Sequence, residues 1–155
     1  MEEKVLAVLS KLGFVYNHVE GVGYEFEFER NNYLYLPNSN DESFLNICIP
    51  FAGDIEKNES NEASFYKFVT YLNHQMKYVK AYNMQDNLWL FYEREILESD
   101  NLEEVVRRMI YSLDAGLFLV KRSKEEMEVD DGDDGDDDSF EELTDADDEN
   151  NENND

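Results

Sequence analysis

The sequence predicts an α+β domain: an antiparallel sheet of about five strands with helices packed on one face, in the order helix, three strands, helix, two strands, helix. Three observations carry that prediction. Residues 24–29 alternate strictly, Tyr24, Phe26 and Phe28 against Glu25, Glu27 and Glu29, as a half-buried strand does. Phe65, Phe68, Val69, Leu72 and Met76 fall on one helical face, and so do Leu102, Val105, Val106, Met109, Ile110, Leu113 and Leu117. Between them, the strand at 88–96 is apolar on both alternating faces, Leu88, Leu90 and Tyr92 against Trp89 and Phe91. Neither that strand nor the helix after it buries its apolar surface alone, so the stretch 87–120 requires a larger sheet and organises the chain.

The remaining elements follow in order. Val5, Leu6, Val8, Leu9 and Leu12 mark a short first helix, with Glu2 and Glu3 at its favourable end and Gly13 as its stop. Residues 14–19 can be extended, and Gly21-Val22-Gly23 breaks the chain before the alternating strand. Asn31-Asn32 reads as a hairpin turn into Tyr33-Leu34-Tyr35-Leu36, which Pro37 ends. Residues 44–49 form the next strand, closed by Pro50, and 52–61 is expected to be a polar, mobile loop. After the second helix, 79–83 is short and extended, and Gln85-Asp86-Asn87 turns the chain into the strand at 88–96. Asp100 with Glu103 three residues on is expected to start the last helix as a capping box. Arg107 and Arg108 point away from its apolar stripe, and Lys121, Arg122 and Lys124 suit its last turn; these five form either a solvated face or a landing site for the acidic tail or an acidic partner.

Charge divides the chain into two parts. All thirteen Lys and Arg precede Glu125, while eighteen of the thirty-eight Asp and Glu follow Lys124, so the net charge of −25 splits into −7 and −18. We therefore expect one domain over 1–124 and a disordered acidic tail over 125–155, which has too little apolar surface to offset chain entropy. Within the tail, Ser139-Phe-Glu-Glu-Leu143 combines a capping box with two apolar residues at helical spacing. A calcium-loop reading centred on Gly135 fails, because Gly132 stands at a ligand position and Asp137 where an apolar residue is usual.

Several chemistries lack their signatures. Cys48 lies in an apolar run with no basic cluster beside it, so it reads as a core residue, with no disulfide framework. Only His18 and His74 are present, with no second His or Cys at ligand spacing for zinc. No nucleophile–base pair or phosphate loop is visible, the three glutamates of 25–29 line the wet side of a strand, and the helical aromatics are core. We expect no enzyme, no cofactor and no metal. The N-terminus has no signal-peptide pattern and no apolar run approaches a bilayer span, so a cytoplasmic protein without membrane association is expected. Net negative charge argues against direct binding of nucleic acid.

With this element order in place, the chain resembles the YbjN-type bacterial family, with its type III secretion chaperone-like fold. The likeness lies in Leu12-Gly13-Phe14, Leu72-Asn73, the final hairpin and Asn101-Leu102-Glu103-Glu104, and spans residues 1–122. The resemblance implies a compact α+β domain, often a homodimer, that binds other proteins without catalysis. Secretion members hold unfolded effector segments, and others are associated with stress adaptation and regulation. The acidic tail is outside the family pattern.

Two functions are compatible with these features. The first is a chaperone-like or stress/regulatory adaptor that binds another protein, or its unfolded segment, through the sheet or a dimer surface. Its expected binding residues are Trp89, Phe91, Tyr33 and Tyr35. The second is an electrostatic regulator whose tail engages a basic protein surface or competes with nucleic acid for it. A tail contact would involve Phe140, Leu143, Arg107 and Arg108.

Overall fold

The computed structural model describes residues 1–130, with side chains through Glu126. The acidic stretch beyond Asp130, with Phe140, Leu143 and the calcium-loop reading, lies outside the described residues.

Helix α1 (Glu2–Lys11) is closed by two reversed hydrogen bonds, Phe14 N–H donating to Leu9 C=O and Gly13 N–H to Ser10 C=O, with Gly13 at φ 89°. Glycine takes that left-handed step without steric cost. The turn aims Phe14 at Phe26 and Phe28, with ring centroids 5.2 and 6.0 Å away. Six strands follow: β1 (Tyr16–Val19), β2 (Gly23–Phe28), β3 (Asn31–Tyr35), β4 (Phe44–Ile49), β5 (Lys80–Met84) and β6 (Asn87–Glu95). Helix α2 (Glu62–Gln75) separates β4 from β5, and α3 (Leu102–Asp130) ends the described chain. The sheet is antiparallel throughout, in the order β1-β2-β3-β4-β6-β5. The sixth strand is β1, the extended segment after Gly13.

All three helices lie on one face of the sheet. Val5 and Leu9 of α1, Phe65 and Leu72 of α2, and Val106, Met109 and Leu113 of α3 bury against Tyr33, Tyr35, Leu45, Ile47, Leu88 and Leu90. Each fully buried aliphatic side chain contributes about 1.5–3 kcal/mol. Glu103 of α3 pairs with both Lys11 of α1 and Arg107, which hold its carboxyl below the usual carboxylate range and tie the two helices together. On the open edge of the sheet, the Asn73 amide accepts from Ala81 N–H at 2.7 Å and donates to Ala81 C=O at 2.9 Å. A side chain from α2 thus occupies backbone groups of β5 that would otherwise be free to pair with another strand.

Four local expectations are corrected. The β2–β3 turn is Glu29-Arg30, at φ 48° and 63°, and Asn31-Asn32 are already strand, because two positive-φ residues match a hairpin's twist. Asn101, rather than Asp100, caps α3 by accepting from the N–H groups of Glu103 and Glu104. The Asp100 carboxylate instead accepts from Arg94 and from Leu97 N–H. The 52–61 loop is fastened, with Leu88 N–H bonded to Ile55 C=O, Lys57 N–H to Asp86 C=O, and Lys57 Nζ 3.2 Å from Asp86. Finally, α3 continues to Asp130, so Lys121, Arg122 and Lys124 lie inside it rather than in its last turn.

Candidate functional site

The strands present a second set of side chains on the face that no helix covers among the described residues. Antiparallel pairing sets Leu34 opposite Cys48, Cys48 opposite Phe91, and Trp89 opposite Tyr82, so these residues project to the same side. Leu34, Cys48 and Phe91 form a small cluster of their own, with Leu36 and Trp89 packed around it. What covers this cluster is aromatic side chains rather than another layer. The Trp89 and Phe91 rings stack at 6.0 Å, Tyr82 meets Phe91 edge-on at 5.5 Å, and Phe51 tilts against Trp89 at 5.6 Å.

The outer members of that set remain in water: Phe51 is 55% exposed and Tyr82 and Met84 are each 41% exposed. Phe51 reaches the patch because the chain leaves β4 through Pro50 into a left-handed residue, Phe51 at φ 50°, before a single 3-10 turn at Ala52–Asp54. Two polar atoms on this face, Trp89 Nε1 and Asn46 Oδ1, are buried without a hydrogen-bond partner among the described residues. An unmet buried polar atom costs about 1–3 kcal/mol. Asn46 Nδ2 donates to Glu93 at 3.1 Å, and Glu93 and Glu95 bound the patch along β6. Burial, reinforced by the charge of Glu93, pushes the Cys48 thiol up to about 12, so it stays protonated and unreactive at neutral pH.

Of the four residues expected to bind a partner, the structure brings Trp89 and Phe91 together and separates Tyr33 and Tyr35 from them. The two tyrosines are 0% and 2% exposed, on the helix side of β3. Their neighbours Leu34 and Leu36 take the open side, because β3 is apolar at both phases and only its pairing with β4 fixes which phase meets the helices. Burial, then the Asp114 carboxylate, raises the Tyr33 hydroxyl well above its ordinary range, and burial raises Tyr35 to about 12. Arg107 and Arg108 are exposed on α3, on the opposite side of the sheet from Trp89, and Arg107 already donates to Glu103 at 2.9 Å.

The sequence reading missed Phe51, Tyr82 and Met84. Tyr82 and Met84 alternate with Ala81 and Asn83, a signal that was present. Phe51 comes from outside any strand and carried none. Among the described residues, no three His, Cys, Asp or Glu side chains gather as a metal site would require, and no helix is long and apolar enough to cross a membrane.

An open antiparallel sheet with three helices on one face, in this element order, is a YbjN-type fold. The crystal structure of YbjN from E. coli, named as a candidate transcription regulator, matches with a TM-score of 0.61 and 11% identity, over 81% of this chain and 92% of that one. An uncharacterised protein from Methanothermobacter thermautotrophicus matches with a TM-score of 0.50 and 10% identity, over 79% of this chain and 97% of its own. At such identities the likeness is one of fold. No family model matches the sequence, and no curated protein matches it.

Proposed function

We propose that this protein is a non-enzymatic binding module, a chaperone-like or regulatory adaptor that holds another polypeptide against the helix-free face of its sheet. One observation carries the reading: an apolar surface running from Phe51 through Trp89 to Tyr82 and Met84, on a face with no helix above it among the described residues. The other exposed large hydrophobics, such as Val15, Leu97 and Phe118, lie elsewhere on the molecule. A continuous aromatic surface fits an extended, apolar segment, whose side chains fill the spaces between rings. The name given to YbjN, a candidate transcription regulator, supports a regulatory adaptor as one form of this role.

The chain's one tryptophan is Trp89, so its emission reports on this surface alone. Titrating the full chain with a reduced, carboxymethylated, stably unfolded polypeptide should give a saturable blue shift. The double variant F51S/Y82S should weaken the binding at least about tenfold, the effect of removing about 1.4 kcal/mol. Binding that is absent, or unchanged in that variant, would contradict the proposal. Binding that needs only the acidic segment and disappears with salt would favour the electrostatic regulator instead.

A further inference from the structure

A cleft of about 400 Å³ opens between the β2–β3 turn, the exit of β4 and the outer part of α3. Arg30, Phe51 and Lys121 line it, and Asp54 is its one carboxylate-bearing residue. The cations here are held by neutral oxygens. Lys121 Nζ donates to Asn31 Oδ1 at 3.2 Å, and Lys124 Nζ donates to Gly53 C=O at 3.3 Å. Arg30 has no ion pair among the described residues. Lys11, Lys57, Arg94, Arg107 and Arg122 meet carboxylates, while Lys4, Lys67, Lys77, Lys80 and Arg108, like Arg30, have no ion pair among the described residues. What distinguishes the cleft in a chain of net charge −25 is its lining, two cations, Arg30 and Lys121, against the single carboxylate of Asp54, beside an exposed phenylalanine.

We propose that this cleft receives the chain's own acidic segment, with Phe140 and Leu143 seated on Phe51 and the surrounding carboxylates on Arg30, Lys121 and Lys124. Chain length and chemistry choose this occupant. Asp130 lies nine residues beyond Lys121 along α3, or about 13 Å. The ten residues from Asp130 to Phe140 span up to about 33 Å when extended, so the segment folds back with slack. Tethering also gives it an effective concentration of roughly millimolar order. Phe140 and Leu143 are the only large apolar side chains after Asp130, within a run of Asp and Glu, and so complement a cationic cleft with an aromatic rim. Arg107 and Arg108, which the sequence offered as landing residues along with the basic cluster at 121–124, suit the segment less well. They lie more than thirty ångströms back along the helix by the same rise, about the limit of its reach, and Arg107 is already paired with Glu103.

The test uses the full chain carrying a nitroxide on Thr144→Cys, since buried Cys48 does not compete for the label. At about 50 mM salt, amide resonances of Asn31, Asn32, Gly53 and Lys121 should broaden, and about 0.5 M salt should abolish the effect. R30E/K121E/K124E should also abolish it, while K67E/K77E/K80E, an equal charge change on other exposed lysines, should retain it. Broadening centred on residues 104–111, broadening unchanged in R30E/K121E/K124E, or no broadening would overturn the proposal. So would broadening seen only between labelled and unlabelled molecules, which would indicate a second copy as the occupant.

Discussion

The two faces of the β6 strand carry the same kind of residue and do opposite things. Leu88, Leu90 and Tyr92 are sealed beneath α2 and α3, whereas Trp89, one position away, rests against Phe51 and Phe91 with no layer above it among the described residues. The difference lies in what covers each face, and it implies that the helix side holds the fold together while the open side can change with little loss of stability. The proposed polypeptide binding rests on these aromatic residues of the sheet's second side.

Leu90→Ala should break the comparison most severely. Leu90 is 0% exposed under the helices, and its truncation should cost about 2–5 kcal/mol in urea unfolding. A loss below about 1 kcal/mol would mean that the helix layer is not the main source of stability.

Alkali should come next, because the tyrosines with raised ionisation sit on the helix side. Tyr33 and Tyr35 are held protonated by burial, so the folded state resists losing their protons while the unfolded state does not. Stability should therefore be level below pH of about 10, the unfolded tyrosine value, and fall as pH rises beyond it. Circular dichroism should show the loss of fold, and Tyr33→Phe should make the fall shallower. A fall of equal steepness in that variant would place the alkaline sensitivity elsewhere.

On the open side the effects on stability should be smaller. Phe51→Ser and Tyr82→Ser each remove a side chain that remains 41–55% exposed, and should cost under about 1 kcal/mol while still weakening polypeptide binding. Smallest of all should be the chemistry of Cys48. Native protein should react with a thiol reagent only as fast as it unfolds, and rapid modification at neutral pH would show that the aromatic cover over Leu34, Cys48 and Phe91 opens freely.

Much of this architecture was legible in the residues. The alternation of Tyr24, Phe26 and Phe28, the helical stripe from Leu102 to Leu117 and the two-sided strand around Trp89 are local periodic signals, and each became the element that its period predicts. What could not be read locally was phase. Tyr33-Leu34-Tyr35-Leu36 is apolar at every position, so which pair meets the helices depends on pairing with Cys48 and, beyond it, Phe91. Turn position failed for a related reason. Asn31-Asn32 has the better turn chemistry, but the sheet's pairing set the bend at Glu29-Arg30. The least legible parts were those assembled from distant segments, namely Phe51 against Trp89 and the cleft that joins Arg30 to Lys121.

The central claim is that the helix-free face is where a polypeptide binds, and amide and side-chain resonance mapping of the full chain tests it most directly. Adding the unfolded polypeptide should shift the signals of Leu36, Phe51, Tyr82, Met84 and the Trp89 indole, and leave α1, Tyr111 and Phe118 unmoved. Shifts centred on Tyr111 and Phe118 of α3, with the Trp89 indole unchanged, would contradict it.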